Sequence, residues 1–171
     1  KVRMPQEVQR HIVSKLFHQT ITIMKLTSQQ QKVIDSVDFQ FSPERIRKHL
    51  TEEQEVNLRK LAEYLVSRKN KPAEFNMKYY TELKHFDAAD SLTECGSVGC
   101  AVGHGPYAGI PKYQDENWLQ YAKRSFYNDI QDMFDYLFSD DWAESWLDNT
   151  ALGAGKRILF MLKFGLPHDN Q

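Results

Sequence analysis

Cysteine is scarce in this chain, two residues among 171, which excludes a disulfide-stapled scaffold and agrees with a reducing compartment. Long apolar runs are missing too: none approaches the ~20 residues that a membrane-spanning helix needs. Neither charge sign is in excess. The 22 Lys and Arg stand against 23 Asp and Glu, a formal net charge of −1, which argues against a nucleic-acid partner except through a local patch such as Arg45, Arg47, Lys48 and His49. That patch is expected to be a solvated helix end. The N-terminal stretch lacks the unbroken apolar core and the small-residue cleavage site of a secretory signal. The expected location is therefore the cytoplasm, with Met4 or Met24 as candidate starts behind the leading Lys1. Internal repeats and low-complexity tracts are absent as well.

What is present is a globular composition, 41% hydrophobic, 26% charged and 12% aromatic. A chain of this length suits one domain, or one domain with an appendage, and buries roughly two thirds of the surface its unfolded form exposes. It needs no cofactor to hold it together, and none is assigned.

Helical periodicity dominates. Val8, Ile12, Leu16, Val13, Phe17, Ile21 and Met24 predict an amphipathic helix from Pro5 to Met24. A second follows the caps Thr27 and Ser28, with Val33, Ile34, Val37 and Phe41 on its apolar side. Ser42 and Pro43 open a third, a cap followed by a proline at the first helical position, with Ile46 and Leu50 inward. In "TEEQ", Thr51 and Gln54 can satisfy each other's backbone donors, which predicts a helix over 51–68 with Leu58, Leu61, Ala62 and Leu65 as its stripe. "SRKNKPAE" breaks it at Pro72. "FNMKYY" reads as a short strand or extended connector. Trp118, Ala122, Phe126, Ile130, Met133, Phe134 and Leu137 predict one sustained helix. Ser139 caps a turn leading to Trp142, Trp146 and Leu147. Thr150 opens a last helix with Ala151, Ala154, Ile158, Met161 and Leu162 inward, which Gly165 and Pro167 end. The expected fold is mostly α: a compact helical domain of six to eight helices with at most a short extended segment. Residues 1–50 would form an N-terminal helical extension and 51–167 the helical core domain.

The stretch "ECGSVGCAVGHGP", Glu94 to Pro106, holds both cysteines and four of the eight glycines. On a helix, Gly96, Gly99, Cys100 and Gly103 share one face nearly bare of side chains, open to close packing or to a ligand. Cys95 and Cys100 would then stand about 8–9 Å apart, beyond the ~7 Å limit for a disulfide. Three chemistries compete with plain packing. Cys100 and His104 could share a metal with Cys95, His85 or Asp87, but the spacing matches no usual zinc pattern. Cys95 at a helix start could act as a nucleophile with His85 or His104 as base. Gly96 and Ser97 could offer backbone N–H groups to a phosphate or carboxylate, without the lysine of a phosphate loop or the dinucleotide fingerprint. The candidate ligand-binding residues are Cys95, Gly96, Ser97 and His104.

Elsewhere, Asp87, Asp90 and Glu94 read as a solvated face, and Trp118, Trp142 and Trp146 as core. "GAGKR" reads as a small-residue helix contact made by Gly153 and Ala154.

The order "FNM", "CGSVGCAVGH", "LFSDDW" and "GKRI" resembles a functionally uncharacterised family of small helical proteins from bacteria and bacteriophages. Members carry a Cys-Gly-Thr/Ser-x-x-Cys-x-x-Gly-His/Trp element between a Phe-x-Met segment and a Leu-Phe…Trp element. The resemblance spans Leu58 to Pro167, with Gly99 where alanine is expected. It implies no activity and no catalytic residue, but it does imply a phage or other mobile source. The expected function is non-enzymatic binding to a host or phage protein, or self-association, with no membrane contact. A small-molecule or nucleotide-handling enzyme centred on the Cys/His site, with a small anion as ligand, is the alternative.

Overall fold

Local capping signals place the helices before any long-range contact is considered. In the computed structural model, which describes residues 28–68, 75, 77, 100–139, 142 and 149–167, α1 spans Ser28–Ile34 and β1 spans Phe39–Phe41. Helix α2 covers Pro43–His49. Ser42 Oγ accepts from Arg45 N at 3.3 Å, Pro43 occupies the first turn, and Ile46 is buried. Its basic last turn, Arg47, Lys48 and His49, faces solvent and suits the negative end of the helix dipole. The patch around Arg45 is thus an exposed helix end, with the Arg45 guanidinium 4.1 Å from the Phe41 ring centroid.

Helix α3, Glu52–Ser67, begins with the expected capping box: Thr51 N donates to Gln54 Oε1 at 2.9 Å, and Gln54 N to Thr51 Oγ1 at 3.1 Å. Its stripe Leu58, Leu61, Ala62 and Leu65 is wholly buried. Each of those leucines contributes about 1.5–3 kcal/mol relative to an exposed position.

Between Trp118 and Leu137 the structure corrects the expectation of one helix. Helix α4, Trp118–Ala122, runs into a π-helical turn, Lys123–Tyr127, then breaks at Asn128 before α5, Gln131–Phe138. The wide turn buries the consecutive Ser125, Phe126 and Tyr127. Trp118, Tyr121, Phe126 and Phe138 follow one another through ring contacts of 5.5–5.8 Å between centroids, and Tyr127 and Phe134 extend the cluster.

Helix α6, Ala151–Phe164, starts where Thr150 Oγ1 accepts from Gly153 N and ends at Gly165. It lies along α3, and the small-residue contact falls at Gly155: a Cβ there would stand 2.8 Å from Ala62 O and 2.9 Å from a Val66 methyl carbon. After α6, β2 (Leu166–Pro167) pairs antiparallel with β1, Phe39 opposite Pro167 and Phe41 opposite Leu166, with a register irregularity between. Through this pairing, and through Ile46 and Leu50 in the core, residues 39–50 are joined to the helical body.

The protein is mostly helical with a two-stranded sheet among the described residues, although the expected helices do not carry over element for element. Phe41, expected on a helix, lies on β1. Phe75 and Met77 of "FNMKYY" are buried. The helix expected over Pro5–Met24, and Trp146 and Leu147, lie outside the described residues. Among the described residues no helix is long and apolar enough to cross a membrane.

Candidate functional site

Of the four candidate residues, Cys95, Gly96 and Ser97 lie outside the described residues, and His104 lies inside. The described part of the glycine stretch begins at Cys100. Residues 100–105 form successive turns, with His104 N bonded to Cys100 O at 3.2 Å and Gly105 N to Val102 O at 2.9 Å. A short 3-10 turn, Pro106–Ala108, follows.

This segment is interior. Cys100 is a free thiol with 1% exposure, and Ala101 and Val102 are wholly buried. Burial pushes the Cys100 thiol up to about 11, against the smaller opposite effect of backbone groups at Gly103 and Val102. A thiol so placed is a poor nucleophile and packs as a small hydrophobe. Residues 101–105 are turns and not the helix that would align Gly96, Gly99, Cys100 and Gly103, and Gly96 and Gly99 lie outside the described residues; a close approach falls instead at Gly105, where a Cβ would overlap the Tyr121 hydroxyl and meet Phe126 Cζ at 3.0 Å.

His104 sits among three aromatic rings: nearly parallel to Phe75 at 5.7 Å between centroids, and tilted against Tyr64 at 5.9 Å and Tyr107 at 6.1 Å. Burial, and then the neighbouring Tyr64, raises the Tyr107 phenol above its ordinary value. Among the described residues, no group of three or more His, Cys, Asp or Glu side chains is placed to hold a metal ion.

A second constellation lies where α4 begins, within "PKYQDENWLQYAKR". Asn117 and Gln120 form a reciprocal cap, each side-chain oxygen accepting the other's backbone N–H at 2.9 Å. Tyr121 turns inward and donates to Ile110 O at 2.7 Å, and burial pushes its phenol well above the ordinary range. That bond ties the Cys100–Ile110 segment to α4. Outward, the Arg124 guanidinium is fixed from several sides. Its Nε and one terminal nitrogen donate to the two Glu116 carboxylate oxygens, and the same terminal nitrogen reaches Pro111 O at 2.9 Å. Its plane lies 4.1 Å from the Tyr113 ring centroid and 5.7 Å from that of Tyr121. Hydrogen bonds from Arg124 first, then Tyr113 N–H and the charges of Arg124 and Lys112, hold Glu116 below the usual carboxylate range against a smaller effect of burial.

Lys112 Nζ stands 5.5 Å over Trp118, while Tyr113 (53% exposed) and Leu119 (50%) face solvent. The result is a fixed arginine against the exposed Tyr113 ring, with Lys112 over the half-buried Trp118 and an exposed Leu119 on α4. Sequence reasoning missed it because Arg124 and Glu116 are eight residues apart, a spacing that no helix brings together. The signal that could have pointed there is the alternation of aromatic and basic residues from Lys112 to Arg124 around an Asn-x-x-Gln cap.

Comparison with protein-family models, curated proteins and solved structures finds no match for this chain. The resemblance to the bacterial and phage family gains no support from these comparisons.

Proposed function

We propose that this protein is a non-enzymatic binding module of the cytoplasm that docks a protein partner on the surface formed by Lys112, Tyr113, Trp118, Leu119 and Arg124. One observation carries the reading: Arg124 is held by Glu116 and the Pro111 carbonyl and laid against Tyr113, while Leu119 of the adjoining α4 is exposed. Tyr, Trp and Arg dominate the energetics of protein interfaces. A side chain already fixed in place loses little entropy on binding. The family resemblance makes a host or phage protein the expected partner class. The enzyme alternative has less behind it, since His104, its described member, is packed among three rings.

The test is recovery of a defined complex from the native host, followed by the variants Leu119→Asp and Tyr113→Ala. Both are expected to weaken it at least tenfold, whereas Lys60→Glu on the exposed side of α3 leaves it intact. A chain that stays monomeric and yields no complex, or a complex indifferent to both variants, sinks the proposal.

A further inference from the structure

The π-helical turn Lys123–Tyr127 carries two visible penalties. Single π-turns are rare inside helices and concentrate at functional positions. Here Asn128, at the exit, takes φ 59° and ψ −128°, backbone angles that a side chain disfavours. Ser125 is wholly buried, and its hydroxyl has no hydrogen-bond partner. In a regular α-helix that hydroxyl could return a bond to the carbonyl four residues back. Something outside the turn must therefore hold it in its wide register.

Helix α3 supplies the hold. Gln54 Nε2 donates to Lys123 O at 3.0 Å and Arg124 O at 3.2 Å, and Asn57 Nδ2 donates to Ser125 O at 3.3 Å. Both amides are buried, and together they engage three successive carbonyls of the turn. The far end of the Gln54 amide accepts from Thr51 N, so one side chain closes the α3 cap and grips the turn. The wide turn is itself closed by Asn128 N bonding Lys123 O at 2.9 Å. Tyr121 and Ala122 anchor it on one side, Phe126 and Tyr127 on the other, all in the core. A change of register must then be absorbed by Lys123, Arg124 and Ser125. One residue of slip turns a helix face by about 100°.

We propose that Gln54 and Asn57 are positioning residues that hold the π register and, through it, place Arg124 against Tyr113 and Glu116. The consequence for partner binding rests on the docking surface proposed above; the placement of Arg124 does not.

The test uses the neutral variants Gln54→Met and Asn57→Leu in the full chain, with Thr51→Ala as the matched control. The control loses a capping bond of the same helix but keeps the grip on the turn. In each folded variant, the titration of the Glu116 carboxyl and the exchange protection of the Asn128 amide are followed by NMR. In Gln54→Met and Asn57→Leu the Glu116 titration is expected to move up toward the ordinary carboxylate range, and the Asn128 amide to lose protection at least tenfold. In Thr51→Ala neither changes. Loss of stability alone would not produce this pattern within the folded state. Glu116 and Asn128 unmoved in folded Asn57→Leu would overturn the proposal, whether or not Gln54→Met folds. If Glu116 moves but the affinity of a defined partner complex does not, the positioning role stands and the docking surface alone is refuted.

Discussion

Cys100 illustrates how burial decides between the packing and metal-ligand readings that the sequence leaves open. Its thiol is held neutral by burial, with a folded-state value of about 11 against an ordinary 9.0. The unfolded chain therefore ionises first, so stability is unaffected well below pH 9 and declines as pH climbs from there toward 11. In a Cys95→Ser background, a thiol reagent such as DTNB is expected to leave the native protein unlabelled and to label one thiol on unfolding. Rapid native labelling would show that Cys100 is reactive in the folded protein. His104 is a parallel case. Its position near the end of the glycine stretch was legible, but the rings of Tyr64 and Phe75 around it come from forty and twenty-nine residues away in sequence, and no spacing rule connects them.

At the scale of elements, local chemistry marks where helices start and packing decides how they continue. The Thr51–Gln54 box, the Ser42–Pro43 pair and the Thr150 cap were legible because each involves residues three apart or fewer. The stripe from Trp118 to Leu137 was misread as one helix because its interruption depends on amides of Gln54 and Asn57, about seventy residues earlier. Close helix contact obeys the same rule. The small-residue pattern "GAGKR" announced a contact, but only the approach of α3 selects Gly155 as the point with no room for a methyl group. Gly155→Ala gains helix propensity of up to about 1 kcal/mol. It also forces a carbon against the Ala62 carbonyl, and overpacking of this kind costs typically about 1–3 kcal/mol. The net outcome expected in denaturant unfolding is a loss of up to about 2 kcal/mol, the difference between the two effects. A stabilised variant would show that α3 and α6 can move apart freely.

For the whole molecule, the question is whether residues 1–50 are an appendage. Phe39 and Phe41 pair with the strand that follows α6, and Ile46 and Leu50 lie in the main core. Removing 1–50 strips β2 of its partner and exposes the core face that those two side chains cover. Losing two buried aliphatics at about 2–5 kcal/mol each is expected to consume most of a domain's stability. Calorimetry of a chain beginning at Thr51 should therefore lose its cooperative transition. Undiminished cooperative unfolding would show that the N-terminal part is separable. The sequence by itself determined the helical class, the starts of α2, α3 and α6 and the apolar stripes of α3 and α6, because these follow from near neighbours and periodicity. Only the tertiary structure decided that Cys100 is interior, that Gly105 and Gly155 are points of close approach, and that Arg124 is fixed on the surface. Each of these depends on which distant segment arrives beside the residue, and that is settled when the helices pack.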